Sequence, residues 1–248
     1  MFAQLTPPYF FAHRGASAHA PENTLASFKL ALEQGAPAIE FDVKLSADGV
    51  VVIHHDPTLE RTTTGAGTLS QHTLAQLKQI DAGAWFGDSF RGETIPTLEE
   101  VFQALGGKIF MNIELTNYAT GLDNLVPGVA QLVKKYSLQE SVMYSSFFPH
   151  NLMRAAALTP DVPRGQLALP GVAGWWQRAW GDLLTLQADH PFDGDVRPET
   201  VQKSHQKSRR VHVWTVNEPE TLRRLWKMGV DGIFTDNPLI ARDALKNL

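Results

Sequence analysis

Apolar positions along the chain follow two alternating rhythms. Short runs that alternate every second residue, or stay apolar throughout, are followed by longer stretches with a 3.6-residue period. The spacing predicts strands at 9–13, 38–45, 50–55, 109–115, 141–145, 164–167, 184–187, 211–215 and 232–235. It predicts helices at 23–34, 97–105, 122–136, 149–158, 198–207, 218–228 and 238–246. In the first helix Leu25, Phe28 and Leu32 share one face with neighbouring alanines. Pro219 and Pro238 fall near helix starts, where a missing N–H matters little.

Asp48-Gly49 is a hairpin signal, so the second and third strands are expected to be antiparallel neighbours. The remaining alternation reads as an α/β closed parallel barrel with outer helices. An open doubly wound sheet is the rival, but no GxGxxG opens a helix and no GxxxxGK[ST] occurs. A length of 248 residues suits one large α/β barrel or two small domains. The expectation is a single domain over 1–248 with an insertion at about 57–96, a stretch rich in Thr, Gly and Asp with one short helix near 73–80.

Apolar residues make up 43% of the chain and charged residues 19%, which excludes a wholly disordered polymer. Lys plus Arg number 22 against 26 for Asp plus Glu, a net charge of −4, so nucleic acid is not an expected partner. The small basic cluster Lys207, Arg209 and Arg210 reads as a solvated helix end. Cysteine is absent, which excludes disulfides, thiolate nucleophiles and zinc–sulfur sites and fits a reducing compartment. The first eight residues lack a secretory pattern, and no apolar run approaches the ~20 residues that span a bilayer. These features point to the cytoplasm and to no stable membrane insertion.

Candidate chemistry begins on the second strand. Glu40 and Asp42 share one face there, opposite Ile39, Phe41 and Val43. On the strand at 109–115, Glu114 shares a face with Asn112. Like charges in a partly dry site need compensation. Three carboxylates without thiols fit a hard cation, Mg²⁺ or Ca²⁺; spacing alone fits equally a network of acids paired with Arg or Lys. His13 ends the first strand, and His54-His55-Asp56 ends the third. With Asp48 and Gly49 as the two central turn residues, pairing matches Leu45 with Val52 and Asp42 with His55, which selects His55 over His54. Arg14 has the planar fork suited to phosphate oxygens, or to a salt bridge with one of the acids. Trp214, at a strand end, reads as a substrate-pocket wall or as core packing. Trp175, Trp176 and Trp180 form a separate aromatic group, read as ordinary packing ahead of a lid or a lipid-facing rim.

Taken in order, His13-Arg14-Gly15, Pro21-Glu22-Asn23-Thr24, Glu40-Phe41-Asp42-Val43, His55-Asp56, Arg61-Thr62-Thr63, Ile95-Pro96-Thr97-Leu98, Asn112-Ile113-Glu114, Val213-Trp214-Thr215-Val216-Asn217 and Gly232-Ile233-Phe234-Thr235-Asp236 resemble the bacterial, cytoplasmic-type glycerophosphodiester phosphodiesterases. The resemblance covers nearly the whole chain. It implies a TIM-type (β/α)8 barrel with a small insertion between the third strand and the following barrel helix. It implies metal-dependent hydrolysis of a small-molecule glycerophosphodiester to sn-glycerol 3-phosphate and an alcohol. Glu40, Asp42 and Glu114 would hold one divalent cation, His13 and His55 would serve as general acid and base, and Arg14 would contact the phosphate. Either the glycerol 2-hydroxyl or water could be the nucleophile. Many family members carry Lys two residues after the third acid; here Thr116 stands there, so that cation is missing or supplied elsewhere. Two rivals are lysophospholipase D-like hydrolysis of lipid diesters and a non-catalytic glycerol-phosphate-binding barrel.

Overall fold

The computed structural model describes residues 2–118, 120–181 and 184–246. In chain order the elements are β1 (Tyr9–His13), α1 (Leu25–Glu33), β2 (Ala38–Leu45), β3 (Val51–Ile53), α2 (Leu74–Leu77), α3 (Leu98–Leu105), β4 (Phe110–Leu115), α4 (Leu125–Lys135), β5 (Val142–Ser146), α5 (Pro149–Leu158), β6 (Arg164–Ala168), α6 (Gly171–Gly181), β7 (Ala188–Pro191), α7 (Pro198–Gln206), β8 (Arg210–Val213), α8 (Pro219–Lys227), β9 (Gly232–Thr235) and α9 (Pro238–Lys246). Among the described residues, β1, β2 and β4 to β9 form a parallel ring of eight strands, closed by pairing of β1 with both β2 and β9. With a helix between successive barrel strands, this is a TIM-type (β/α)8 barrel, and the open sheet is excluded.

Alternation along the strands builds two cores. Phe10, Ala12, Ile39, Phe41 and Ile113 pack outward under the helices. Tyr9, Phe11, Phe110, Met143 and Phe234 point inward and fill the barrel. Phe11 and Phe234 stack with centroids 4.5 Å apart, and His190 and His212 lie among these rings, both fully buried. His212 bonds the Tyr9 hydroxyl at 2.7 Å through Nε2 and His190 Nε2 at 3.0 Å through Nδ1.

Several expectations need correction. The strand expected at 184–187 lies at Ala188–Pro191. The apolar Leu184–Leu186 stretch misled, because the true strand carries polar side chains with buried or paired positions, His190 among the rings and Asp189 bonded to Ser204. The helix α6 was not expected, since its three glycines dilute the periodicity. Lys207 is exposed at the end of α7, but Arg209 is buried against Asp189 and the Gly181 carbonyl and Arg210 lies over the rings of Phe2 and Tyr9, so only Lys207 is a solvated helix end. The side chains of Trp175, Trp176 and Trp180 fall outside the described residues.

The hairpin register also differs. Leu45 pairs with Val51, not Val52. Ser46 N–H reaches Val50 O at 3.0 Å and Gly49 takes φ +80°, so the loop has three residues, Ala47-Asp48-Gly49, with glycine in the left-handed position. The slip turns the strand over and puts His54, not His55, across from Asp42, its N–H donating to Asp42 O at 3.0 Å just after β3 ends at Ile53. The 57–96 stretch contains α2 and a satellite cluster of Leu59, Leu69, Leu77 and Ile95 against Val52.

The buried histidines set a pH dependence. Burial pushes His190 down to about 3, and burial, His190 and Arg210 hold His212 well below its ordinary range. Unfolded histidine titrates near about 6.5. Below that value the unfolded chain takes a proton that the folded chain refuses, so folding weakens as pH falls, by about 1.4 kcal/mol per pH unit per histidine. In urea titrations between pH 6 and 4.5, His190→Gln is expected to lose stability less steeply than wild type by about that slope. Parallel slopes would show that His190 takes its proton in the folded state.

Candidate active site

Strand register brings the acids together. β1 sets His13 beside Glu40, and β4 sets Asn112 beside Glu40 and Glu114 beside Asp42. One oxygen from each of Glu40, Asp42 and Glu114 lies within 4.8 Å of the other two. Glu40 and Asp42 are buried; Glu114 is half-buried at the solvent edge.

The chain after β1 wraps this cluster. Arg14 takes φ +55° and donates its backbone N–H to Glu40 Oε2 at 3.1 Å. Gly15 follows at φ +85°, where a Cβ would sit 2.4 Å from Ser27 Oγ, so the turn needs glycine. Arg14 Nη1 donates to Glu22 at 2.8 Å, and Nε lies 3.4 Å from Asp42 Oδ2. Asn23 donates to the same Asp42 oxygen at 2.9 Å, while Thr24 caps α1.

Burial acts first on all three acids and favours their neutral forms. In Glu40 it adds to repulsion from Asp42 and Glu114, and the carboxyl rises well above its ordinary range. In Glu114 burial and Asp42 outweigh the hydrogen bond from Tyr118, and the value is pushed up to about 8. In Asp42 burial is overcome by Arg14, with help from the histidines and Asn23, and the value falls below the ordinary range.

His13 and His55 line the same cavity, of about 120 Å³, together with Arg14, Glu40, Glu114 and Trp214. His13 Nδ1 is 2.7 Å from Asp236 Oδ1, and its Nε2 is 3.9 Å from Glu40 Oε2. Asp236 is fixed by Asn217 at 2.6 Å and Ser17 at 3.1 Å; burial raises its carboxyl, but His13 and these donors bring it down to about 2. His55 Nδ1 is 2.6 Å from Asp56 Oδ1, and Arg61 clamps the other Asp56 oxygen at 2.6 Å. Arg61 also forks onto Glu22, which therefore bridges two guanidinium groups. His54 is buried and bonded to Thr58 O at 2.9 Å, away from this cavity. Trp214 donates to His190 O at 2.8 Å and meets Phe147 edge-on, with centroids 5.5 Å apart.

The structure thus places His13, His55, Arg14, Glu40, Glu114 and Trp214 around one cavity, with Asp42 directly behind Arg14 and Glu114. Sequence reading passed over Asp236, Asp56, Glu22, Arg61 and Asn23 as side chains with work to do. Asp56 follows His55 directly; Asp236 is joined to His13 only because β9 pairs with β1. His55 reaches the cavity because the chain leaves β3 after Ile53, not through the expected pairing.

The residues fit a divalent cation. Glu40 Oε1 and Asn112 Oδ1 are buried without a hydrogen-bond partner, and both residues line the cavity. Buried acceptors are ordinarily satisfied, and three clustered carboxylates supply the hard oxygen donors that Mg²⁺ or Ca²⁺ prefers.

Residues 13–240 match the glycerophosphoryl diester phosphodiesterase family. A glycerophosphodiester phosphodiesterase of Caldanaerobacter subterraneus subsp. tengcongensis is 40% identical over 92% of this chain and 93% of its own. One from Bacillus subtilis is 32% identical over 92% of this chain and 83% of its own. Among solved structures, an Oleispira antarctica phosphodiesterase in complex with the product sn-glycerol-3-phosphate superposes with a TM-score of 0.90, at 34% identity and 97% coverage of both chains.

The acid cluster predicts stabilisation by a divalent cation. At about a hundredfold its dissociation constant, a ligand of the folded state adds about 2.7 kcal/mol. For a chain of this size Mg²⁺ or Ca²⁺ should then raise Tm by roughly 5–10 °C. The rise should be larger at pH 8 than at pH 6, because the cation must displace the protons held by Glu40 and Glu114. Glu114→Gln should show little of it, and a full rise in that variant would place the cation elsewhere.

Proposed function

Because the chain belongs to the glycerophosphoryl diester phosphodiesterase family, we propose that it hydrolyses glycerophosphodiesters to sn-glycerol 3-phosphate and an alcohol, using His13 and His55 as acid and base beside a divalent cation. The observation that carries this reading is the pairing of each imidazole Nδ1 with a carboxylate, Asp236 for His13 and Asp56 for His55, with both rings on the cavity that contains the acids.

The chemical difficulty is charge. A phosphodiester is an anion, and more negative charge gathers on its oxygens as the nucleophile arrives. Glu40, Asp42 and Glu114 would hold the cation, which supplies positive charge at those oxygens. Arg14, pinned by Glu22 and Asp42, adds a fixed guanidinium on the cavity wall. With Nδ1–H donated to a carboxylate, each histidine keeps Nε2 for proton exchange. One imidazole takes the proton of the nucleophile and the other gives a proton to the departing alkoxide; water attack gives sn-glycerol 3-phosphate directly, whereas attack by the glycerol 2-hydroxyl gives a cyclic phosphate that water then opens. Asp236 and Asp56 are positioning residues that fix ring orientation and tautomer. The apolar wall of Phe147, Leu167, Trp214 and Phe234 suits the carbon face of glycerol.

A second reading has its own support. Tyr118, Phe148 and Leu169, after β4, β5 and β6, and Val172, in the first turn of α6, are exposed and could meet an acyl chain of a lipid diester. Among the described residues no helix is long and apolar enough to cross a membrane.

The test is a panel of glycerophosphodiesters and lysophosphatidylcholine, assayed by coupled detection of sn-glycerol 3-phosphate and of choline. Glycerophosphocholine turnover exceeding that of lysophosphatidylcholine is expected; the reverse order favours the lipid reading. Exhaustive EDTA treatment should abolish turnover, with recovery on adding Mg²⁺ or Ca²⁺. His13→Ala and His55→Ala should each lower kcat at least ~10²-fold with the fold intact. Asp236→Asn should lower kcat toward the same level while KM changes little, since it disturbs the ring and not the pocket. Near-normal kcat in any of these variants removes that residue from the proposed mechanism.

A further inference from the structure

Lys44 stands two residues beyond Asp42 on β2, so the two side chains leave the same face of the strand. Its half-buried ammonium donates to the Thr116 carbonyl at 3.2 Å and to the Thr116 hydroxyl oxygen at 3.0 Å. That hydroxyl gives its own hydrogen to Val43 O at 2.8 Å, which leaves its oxygen free to accept. The ammonium also lies over the Tyr118 ring, 5.9 Å from the centroid, and Tyr118 in turn donates to Glu114. Asp42, Glu114 and Asp56 all attract Lys44, and Tyr118 joins it to Glu114 on the cavity wall.

Charge pairing separates Lys44 from its neighbours. Arg14 is held by Glu22 and Asp42. Arg61 is held by Glu22 and Asp56. Among the described residues Lys44 makes no ion pair within 4.0 Å and donates only to neutral oxygens. An ammonium has three donors, and two are taken. Partial burial of an unpaired charge is unfavourable until an anion meets it. Thr116, where the chain departs from the family pattern, is the residue that holds it there.

We propose that Lys44 binds the phosphate of the substrate from the β4 side of the site, opposite Arg14, with Thr116 holding its ammonium in reach. The inference rests on the diesterase reading for its substrate, but direct binding of sn-glycerol 3-phosphate tests it without turnover.

Lys44→Gln keeps a donor for Thr116 and removes the charge. In calorimetric titrations with the cation-loaded protein, this variant should bind sn-glycerol 3-phosphate about tenfold or more weakly than wild type. KM for the diester should rise in parallel. Tm and the affinity for uncharged glycerol should stay near wild type. Lys44→Arg should recover part of the loss, and adding Thr116→Lys to Lys44→Gln should recover more by returning an ammonium from the adjacent strand. Wild-type affinity for sn-glycerol 3-phosphate in Lys44→Gln overturns the proposal. So does an equal loss of glycerol affinity, which marks a role in pocket shape. A wild-type protein that binds sn-glycerol 3-phosphate through Lys44 but turns over no diester sinks the diesterase reading alone.

Discussion

Three carboxylates confined to a poorly solvated space are the constraint around which the mouth of this barrel is organised. Two like charges 4 Å apart repel by about 4 kcal/mol at the effective dielectric of a protein surface. The chain relieves this unevenly. Asp42 receives Arg14 and Asn23 and stays ionised, whereas Glu40 has one backbone donor and one bare oxygen. The strain is thus concentrated on Glu40 and Glu114, facing the cavity. A site arranged in this way fits a compact positive ion.

The histidines sit on opposite flanks of that cluster, and each has its own carboxylate. The two supports differ in character. Asp236 is lodged among neutral amide and hydroxyl donors from other loops. Asp56 is tied by Arg61 to Glu22 and from there to Arg14. A continuous run of charges therefore links the ring of His55 to the guanidinium beside Asp42. Disturbance at Glu22 would reach Arg14 and the support of His55 together.

Much of this was legible in the chain. Strands β1, β2 and β9 lie where the period-two pattern puts them, because their side chains alternate cleanly between the barrel interior and the helix layer. Glu40, Asp42 and Glu114 were readable as a group because strand geometry alone aligns the first two. The failures have physical causes. β7 hides its burial behind Asp189, His190 and Pro191, whose polar groups find partners only in three dimensions. The hairpin loop gained one residue because Gly49 closes it in the left-handed region, which Asp-Gly spacing does not reveal. Asp236 lies 223 positions from His13, and only ring closure makes them neighbours.

The aromatic and imidazole rings that plug the barrel interior have a further consequence. Tyr9, Phe11, His190, His212 and Phe234 pack ring against ring inside the cylinder. The cavity that holds the acids and imidazoles is therefore floored by this plug, with Phe234 belonging to both. A change that deepens the vestibule would thus also thin the packing that keeps the cylinder closed.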